Sequence, residues 1–258
     1  MSYQSITVHQ EEYVGVITLN RPEHMNTFSS ELAKELNQAL LNMDMEGSIR
    51  VAVVKGAGKA FSAGIDMSEF PGKTLLEYRR WIREMEQMSM VIAEMRKPVI
   101  ASVHGYAVAN GAGLLAACDL AIVAEGTKIG ASAINVGLFC MGPAVPISRS
   151  IGRKRCMELL LTGDLIDAKE AEAWGLVNKV VPGDELEQST MALARKLAEK
   201  SPLAIQLGKK AFYGMADLEF GKALELSNEA FAALCMTEDA KEGVDAFMNK
   251  RPPVWKER

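Results

Sequence analysis

The chain has 258 residues, 48% of them hydrophobic, and a formal net charge of −4. That length and apolar content suffice for a sizeable core without disulfides or metals, and the interspersed charges, with no long basic run, exclude a nucleic-acid-binding stripe. Cys118, Cys140, Cys156 and Cys235 are scattered without a CxxC pair and His9, His24 and His104 are isolated, so neither a zinc ribbon, a redox dithiol nor a His/Cys metal centre is expected.

Ile6-Thr7-Val8 reads as a strand, and no basic leader with an apolar run precedes it, so a cytoplasmic protein is expected. Further β-like runs at Tyr13–Leu19, Val51–Val54, Val99–Val103 and Leu120–Val123 are rich in Val and Ile and bounded by Gly, Asn or charged residues. Between them, Leu32, Leu36, Leu40 and Met43 share one helical face, with Ser29 or Ser30 as N-cap. A second helix, or a pair, is predicted from Leu75 to Met95, ending near Lys97-Pro98. The apolar stretch Val99 to Val123 is broken by His104, Asn110, Asp119 and several glycines, so no membrane span is predicted. Strand–helix alternation of this kind is α/β. The end of the chain changes character. Asp184 to Glu187 reads as a capping box, Ser201-Pro202 as a helix start, and Phe220, Leu224, Phe231 and Leu234 as one helical face; Thr237 to Arg251 is helical in pattern. The predicted organisation is an α/β core over 1–195 and a helical region over 196–258.

Two small-residue loops follow strands: Phe61-Ser62-Ala63-Gly64-Ile65-Asp66, and His104 to Gly113 with Gly105, Gly111 and Gly113. Small residues let a ligand approach the backbone, and N–H groups at a helix start lack intrahelical partners and lie at the positive end of its dipole. Two such loops can aim two N–H groups at one oxygen, an oxyanion hole. Taken singly, Gly64 and Gly111 also read as turn or close-packing residues. Neither loop matches a dinucleotide fingerprint or a phosphate loop.

The ordered series Leu19-Asn20-Arg21-Pro22 with Asn26, Ala63-Gly64-Ile65-Asp66, Lys97-Pro98-Val99-Ile100-Ala101, Gly105-Tyr106-Ala107, Cys118-Asp119, Leu161-Thr162-Gly163, Ala168 to Val177, and Glu242-Gly243 with Phe247 and Lys250-Arg251 resembles the crotonase superfamily of enoyl-CoA hydratases and isomerases. The resemblance implies a spiral of ββα units with a C-terminal helical region that makes homotrimers, often paired into hexamers. It implies an acyl-CoA thioester as substrate, with coenzyme A as part of that substrate and no separate cofactor or metal. By position, the backbone N–H groups of Ile65 and Asn110 form the oxyanion hole, Ala63, Gly64 and Asp66 border the coenzyme, and Lys250 meets its phosphates; Lys250 also reads as a solvated lysine at a helix end. Asp66 also reads as the cap of a following helix.

The same alignment places the two hydratase glutamates at Gly113 and Ala133, so both carboxylates are missing. Some family members carry an acid at positions matched here by Cys140 and Met141; of these only Cys140 can titrate or act as a nucleophile, and it also reads as a buried, inert cysteine. Glu84 and Glu86, on the segment that lines the acyl pocket in relatives, are the other acid/base candidates. The segment Asn135 to Cys140 resembles hydratase-domain members of the superfamily. The expected function is stabilisation of a thioester enolate by an enoyl-CoA hydratase/isomerase-like enzyme, a lyase or isomerase of acyl-CoA metabolism. The alternatives are an acyl-CoA-binding protein without turnover and a crotonase-fold decarboxylase or thioester hydrolase.

Overall fold

The computed structural model describes residues 3–258. The chain opens with an antiparallel hairpin, β1 (Ile6–Glu11) and β2 (Val14–Leu19), turned through Glu12 at φ 52°. Then come α1 (Ser30–Met45), β3 (Val51–Gly56), α2 (Leu75–Glu94) and β4 (Val99–Val103). A short strand β5 (Tyr106–Val108) leads into α3 (Asn110–Ala117), β6 (Leu120–Ala124) and β7 (Lys128–Gly130). The α/β part continues through α4 (Met141–Ser150), α5 (Arg153–Thr162), β8 (Leu165–Asp167), α6 (Ala168–Trp174) and β9 (Lys179–Val181). Four helices close the chain: α7 (Leu186–Ala198), α8 (Pro202–Met215), α9 (Phe220–Cys235) and α10 (Glu238–Met248).

The large sheet has the order β1-β2-β3-β4-β6-β9, parallel from β2 onward; β5, β7 and β8 form a smaller second sheet. Parallel strands buried on both faces need apolar residues at consecutive positions, which explains the unbroken Val/Ile runs. Side-chain alternation divides them. Val14, Val16, Val51, Val53 and Ile100 pack under α7 with Met191 and Ala194, whereas Ile17, Leu19, Ala52, Val54 and Val99 pack against α1 and α2 in the main core. A buried hydrogen bond from the Thr190 hydroxyl to that of Ser102 (3.0 Å) pins α7 to β4. Because β3 and β4 run the same way, the loops that follow them emerge at the same edge of the sheet. That is the edge at which open α/β sheets bind ligands.

Helix starts follow their capping chemistry. The Ser29 hydroxyl accepts the Leu32 N–H at 3.2 Å, and Ser201 accepts the Ala204 N–H at 3.1 Å ahead of Pro202. The Leu75–Met95 region is one helix, opened by a Thr74/Glu77 capping box. The capping box expected at Asp184–Glu187 does not form. Gly183–Glu185 is a single 3-10 turn after Pro182, which places Asp184 inside a turn and leaves α7 without a side-chain cap. Residue 196, where the sequence pattern changes, falls in the last turn of α7, which still lies on the sheet; α8, α9 and α10 pack on one another beyond it.

A largely buried polar knot helps tie the helical end to the α/β body. Asp119, just before β6, accepts the Val99 N–H (2.7 Å), the Lys209 ammonium (2.6 Å) and the Tyr213 hydroxyl (2.9 Å). Lys209 also donates to the Lys97 carbonyl at 3.0 Å. Burial and the Asp119 charge push the Tyr213 phenol well above its ordinary value. Among the described residues, no helix is long and apolar enough to cross a membrane and no group of three His, Cys, Asp or Glu side chains is placed to hold a metal.

Candidate active site

The loop after β3 is shaped by buried polar groups from the segment after β2. Asn26, fully buried at φ 54°, donates to the carbonyls of Ala57 (2.8 Å) and Ala60 (2.7 Å) and accepts the Arg21 N–H at 2.8 Å. Arg21 donates to the Thr27 carbonyl at 2.6 Å and pairs with Asp66 at 2.8 Å. The Ala63 N–H is used on Met25, the Phe28 N–H meets the Gly64 carbonyl at 2.7 Å, and the Asp66 N–H meets the Phe28 carbonyl at 2.9 Å. This accounting leaves the Ile65 N–H without a protein partner among the described residues.

The second loop is stitched to the first through Ser62. The Ser62 N–H donates to the Tyr106 carbonyl (3.0 Å), and the Ser62 carbonyl accepts the Val108 N–H (2.9 Å). Ala109 then takes φ 49°, ψ −114°, a conformation that a Cβ disfavours, held by its N–H on the Gly130 carbonyl at 2.8 Å. This sharp turn starts α3 at Asn110, whose N–H has no intrahelical acceptor. A Cβ built on Gly64, at φ 106°, would lie 3.0 Å from the Ala109 Cβ and 3.9 Å from the Asn110 nitrogen. The two loops therefore touch, bringing the unpaired N–H groups of Ile65 and Asn110 to one place, with α3 pointing its positive end toward it.

Gly111 makes this contact possible, since a Cβ there would fall 2.2 Å from the Ser62 carbonyl oxygen. Gly111→Ala is expected to force the loops apart and lower unfolding stability by about 1–3 kcal/mol. Thermal or urea unfolding checks this, and a change below about 0.5 kcal/mol would contradict the close packing.

Beside the two N–H groups lies one carboxyl. Glu86, on the inner side of α2, is largely buried, and the Asn110 side-chain amide donates to its Oε1 at 3.4 Å. Burial pushes its pKa up to about 7, with the Asn110 hydrogen bond opposing. A Cβ on Gly142, in the first turn of α4, would overlap the Glu86 carboxyl at 1.9 Å, so the carboxyl rests against bare backbone. Cys140 is buried alongside; its thiol is pushed up chiefly by burial, with the Ala133 backbone acting to lower it and the Glu86 charge to raise it. A buried neutral thiol is a poor nucleophile. The two positions matched to hydratase glutamates border the same cluster. Ala133 lies beside Cys140, and a Cβ on Gly113 would stand 3.1 Å from Pro143 Cα and Cβ.

The remaining candidates lie apart or are otherwise engaged. Glu84 is turned toward α1, paired with Lys34 at 3.3 Å. Asp66 caps the short 3-10 turn Met67–Glu69; hydrogen bonds from Ser68, then Arg21, hold its carboxyl at about 2. Lys250 is exposed just past α10 at φ 52°. Gly142 and Pro143 were not singled out by sequence reasoning; a Gly-Pro pair in the first turn of a helix is the signal that marks them. Two surface clefts, one lined by Tyr3, Ile6 and Met43 and one by Arg50, Arg96 and Lys97, lie away from this cluster.

Comparison with known proteins decides the family. The profile of the enoyl-CoA hydratase/isomerase family matches residues 9–258. The chain belongs to this family, within the crotonase superfamily. Its relatives include the rat mitochondrial enoyl-CoA hydratase domain-containing protein 3, 33% identical over 250 residues that cover 96% of this chain and 83% of the relative. The crystal structure of a Mycobacterium smegmatis enoyl-CoA hydratase superposes with a TM-score of 0.95 at 35% identity, over 98% of this chain and 99% of that one. Human enoyl-CoA hydratase domain-containing protein 3 superposes with a TM-score of 0.92 at 34% identity, over 98% of this chain and all of the other. This chain therefore has the crotonase-type fold over nearly its whole length.

Proposed function

We propose that this crotonase-family protein is an acyl-CoA enzyme that binds the thioester carbonyl between the N–H groups of Ile65 and Asn110 and stabilises the enolate formed beside it. The observation that carries the reading is the meeting of two unpaired N–H groups at the start of α3, reached only because Gly64 and Gly111 lack side chains. Such preorganised donors are worth most where negative charge develops on oxygen. The coenzyme passes Ala63, Gly64 and Asp66, and Lys250 meets its phosphates. Decarboxylation and thioester hydrolysis would use the same donors, but the nearby carboxyl favours chemistry that moves a proton at the acyl chain. That carboxyl also speaks for turnover over sequestration.

Proline is tolerated at the first position of a helix, so Asn110→Pro removes one N–H, together with the side-chain amide that meets Glu86. The variant is expected to lose roughly 10²–10³-fold in turnover of a 3-enoyl-CoA. Unaltered turnover, with the fold confirmed by circular dichroism, would end the oxyanion reading.

A homotrimer or hexamer goes with this reading. Helices α8 and α9 have no fully buried residue, and Phe212, Phe220, Phe231 and Phe247 are 60–82% exposed. Apolar surface on that scale is usual at subunit contacts. Sedimentation equilibrium is expected to return a multiple of the 28.1 kDa chain.

A further inference from the structure

We infer that Glu86 is the catalytic base of this enzyme, taking a proton from the carbon next to the thioester carbonyl, with the Asn110 side chain and the bare backbone of Gly142 positioning its carboxyl. The inference rests on the proposed acyl-CoA site and names the group that works there.

Three observations converge on it. First, Asn110 serves both sides of the site. Its backbone N–H is one of the two free donors, and its side-chain amide reaches Glu86 Oε1 at 3.4 Å. A thioester oxygen held at that N–H has its α-carbon within a bond or two, which brings the α-hydrogens near Glu86. Second, the room for the carboxyl is made by a missing side chain, because any residue but glycine at 142 would occupy the carboxyl's own position. Third, the competing groups are disqualified where they stand. Glu84 faces Lys34 and α1, Gly113 is closed over by Pro143, position 133 is Ala, and the Cys140 thiol is held protonated. Glu86 comes from α2, whereas the two missing hydratase carboxylates would have come from α3 and the 3-10 segment Ser132–Val136.

The chemistry balances without a further reactant. The Glu86 carboxylate accepts the α-proton. The C–H electron pair becomes the carbon–carbon bond of the enolate, whose oxygen carries the charge between Ile65 and Asn110. The carboxylic acid then returns the proton, either to the same carbon or, where a neighbouring double bond extends the enolate, two carbons further along. One carboxyl suffices for this cycle. Addition of water, by contrast, uses one group to take a proton and another to give one. The inferred substrate class is therefore an acyl-CoA whose α-carbon is deprotonated, such as an unsaturated one whose double bond shifts.

The test is exchange of the α-hydrogens of butyryl-CoA with deuterium oxide, followed by mass spectrometry, which needs only the base and the donors. The unmutated protein is expected to catalyse exchange, with a rate that rises about tenfold per pH unit below about 7 and levels off above it. Among the described residues, the other titratable group facing Glu86 is Cys140, which stays neutral across that range. Glu86→Gln is expected to bind butyryl-CoA by calorimetry with unchanged affinity and to lose exchange by at least roughly 10²-fold. Gly142→Ala keeps the carboxyl but displaces it, and is expected to lose exchange with binding retained. Exchange by Glu86→Gln at the unmutated rate would overturn the inference, as would an unmutated protein that binds butyryl-CoA without exchanging it; binding in either case leaves the acyl-CoA site standing. Failure of the unmutated protein to bind butyryl-CoA would overturn the site reading itself.

Discussion

Asp119→Ala is expected to lower the unfolding free energy by about 3–5 kcal/mol, the loss typical when a buried ion pair is broken by removing one partner. Asp119 answers three donors from two parts of the chain: the Val99 N–H at the start of β4, and the Lys209 ammonium and Tyr213 hydroxyl on α8. The Lys209 side chain is 7% exposed and that of Asp119 15%, so water cannot replace the missing carboxylate cheaply. An ammonium left inside keeps the Lys97 carbonyl and the face of the Tyr213 ring, both uncharged, as partners. Lys209→Met, which leaves Asp119 with two neutral donors, should cost less. The double variant should recover part of the single loss, because no unpaired charge remains. Urea unfolding of the three variants decides the matter; a loss below about 1 kcal/mol for Asp119→Ala would mean that the knot is solvated. The expected consequence is specific in place, since α8 should loosen from the body while the sheet persists.

The opposite sign is expected at Glu86. Burial lifts its pKa from 4.5 to about 7, so between these pH values the folded chain holds a proton that the unfolded chain has released. Stability from this group is fully present below the unfolded value and is lost as pH rises toward 7. Glu86→Gln keeps the shape and a neutral acceptor for Asn110 but removes the penalty of charging a buried carboxyl. Above pH 7 the variant is expected to be more stable than the parent by up to about 3 kcal/mol, with the advantage vanishing near pH 4. Thermal melts across pH 4 to 9 measure it, and parallel curves for the two proteins would show that the carboxyl is not buried in solution. A substitution that raises stability while removing activity is the pattern expected of a group held in place for chemistry.

Much of this architecture was legible in the chain. Runs such as Val51–Val54 and Val99–Val103 must be strands buried on both faces, and Ser29 and Ser201 mark helix starts through side-chain oxygens that the structure uses. The three-residue strands β5, β7, β8 and β9 were not read, because such short pairings are fixed by register with distant segments and leave no period in the sequence. In the site, the two small-residue loops could be named from their glycines and from resemblance. Whether they meet depended on the Ser62 ladder and the turn at Ala109, neither of which has a local signal. Glu84 and Glu86 are two positions apart, which on a helix sends them in nearly opposite directions. The buried stripe Trp81, Met85, Met88 and Ile92 runs beside both, so periodicity alone left the choice open; α1 takes Glu84 and α3 takes Glu86. Asn26 and Arg21 brace the first loop, which links that short motif physically to Ala63-Gly64-Ile65-Asp66.

The contact between Gly113 and Pro143 constrains how this scaffold can be redirected. A glutamate at 113 meets the proline at once, because its Cβ would stand 3.1 Å from Pro143 Cα and Cβ, so Pro143 has to give way before the four heavy atoms beyond it are placed. Substitution at 113 alone should therefore cost stability, more so as the side chain grows. A search for water-adding activity has to vary 113 and 143 in one library, so that the helix beginning at Met141 can retreat as the carboxylate enters.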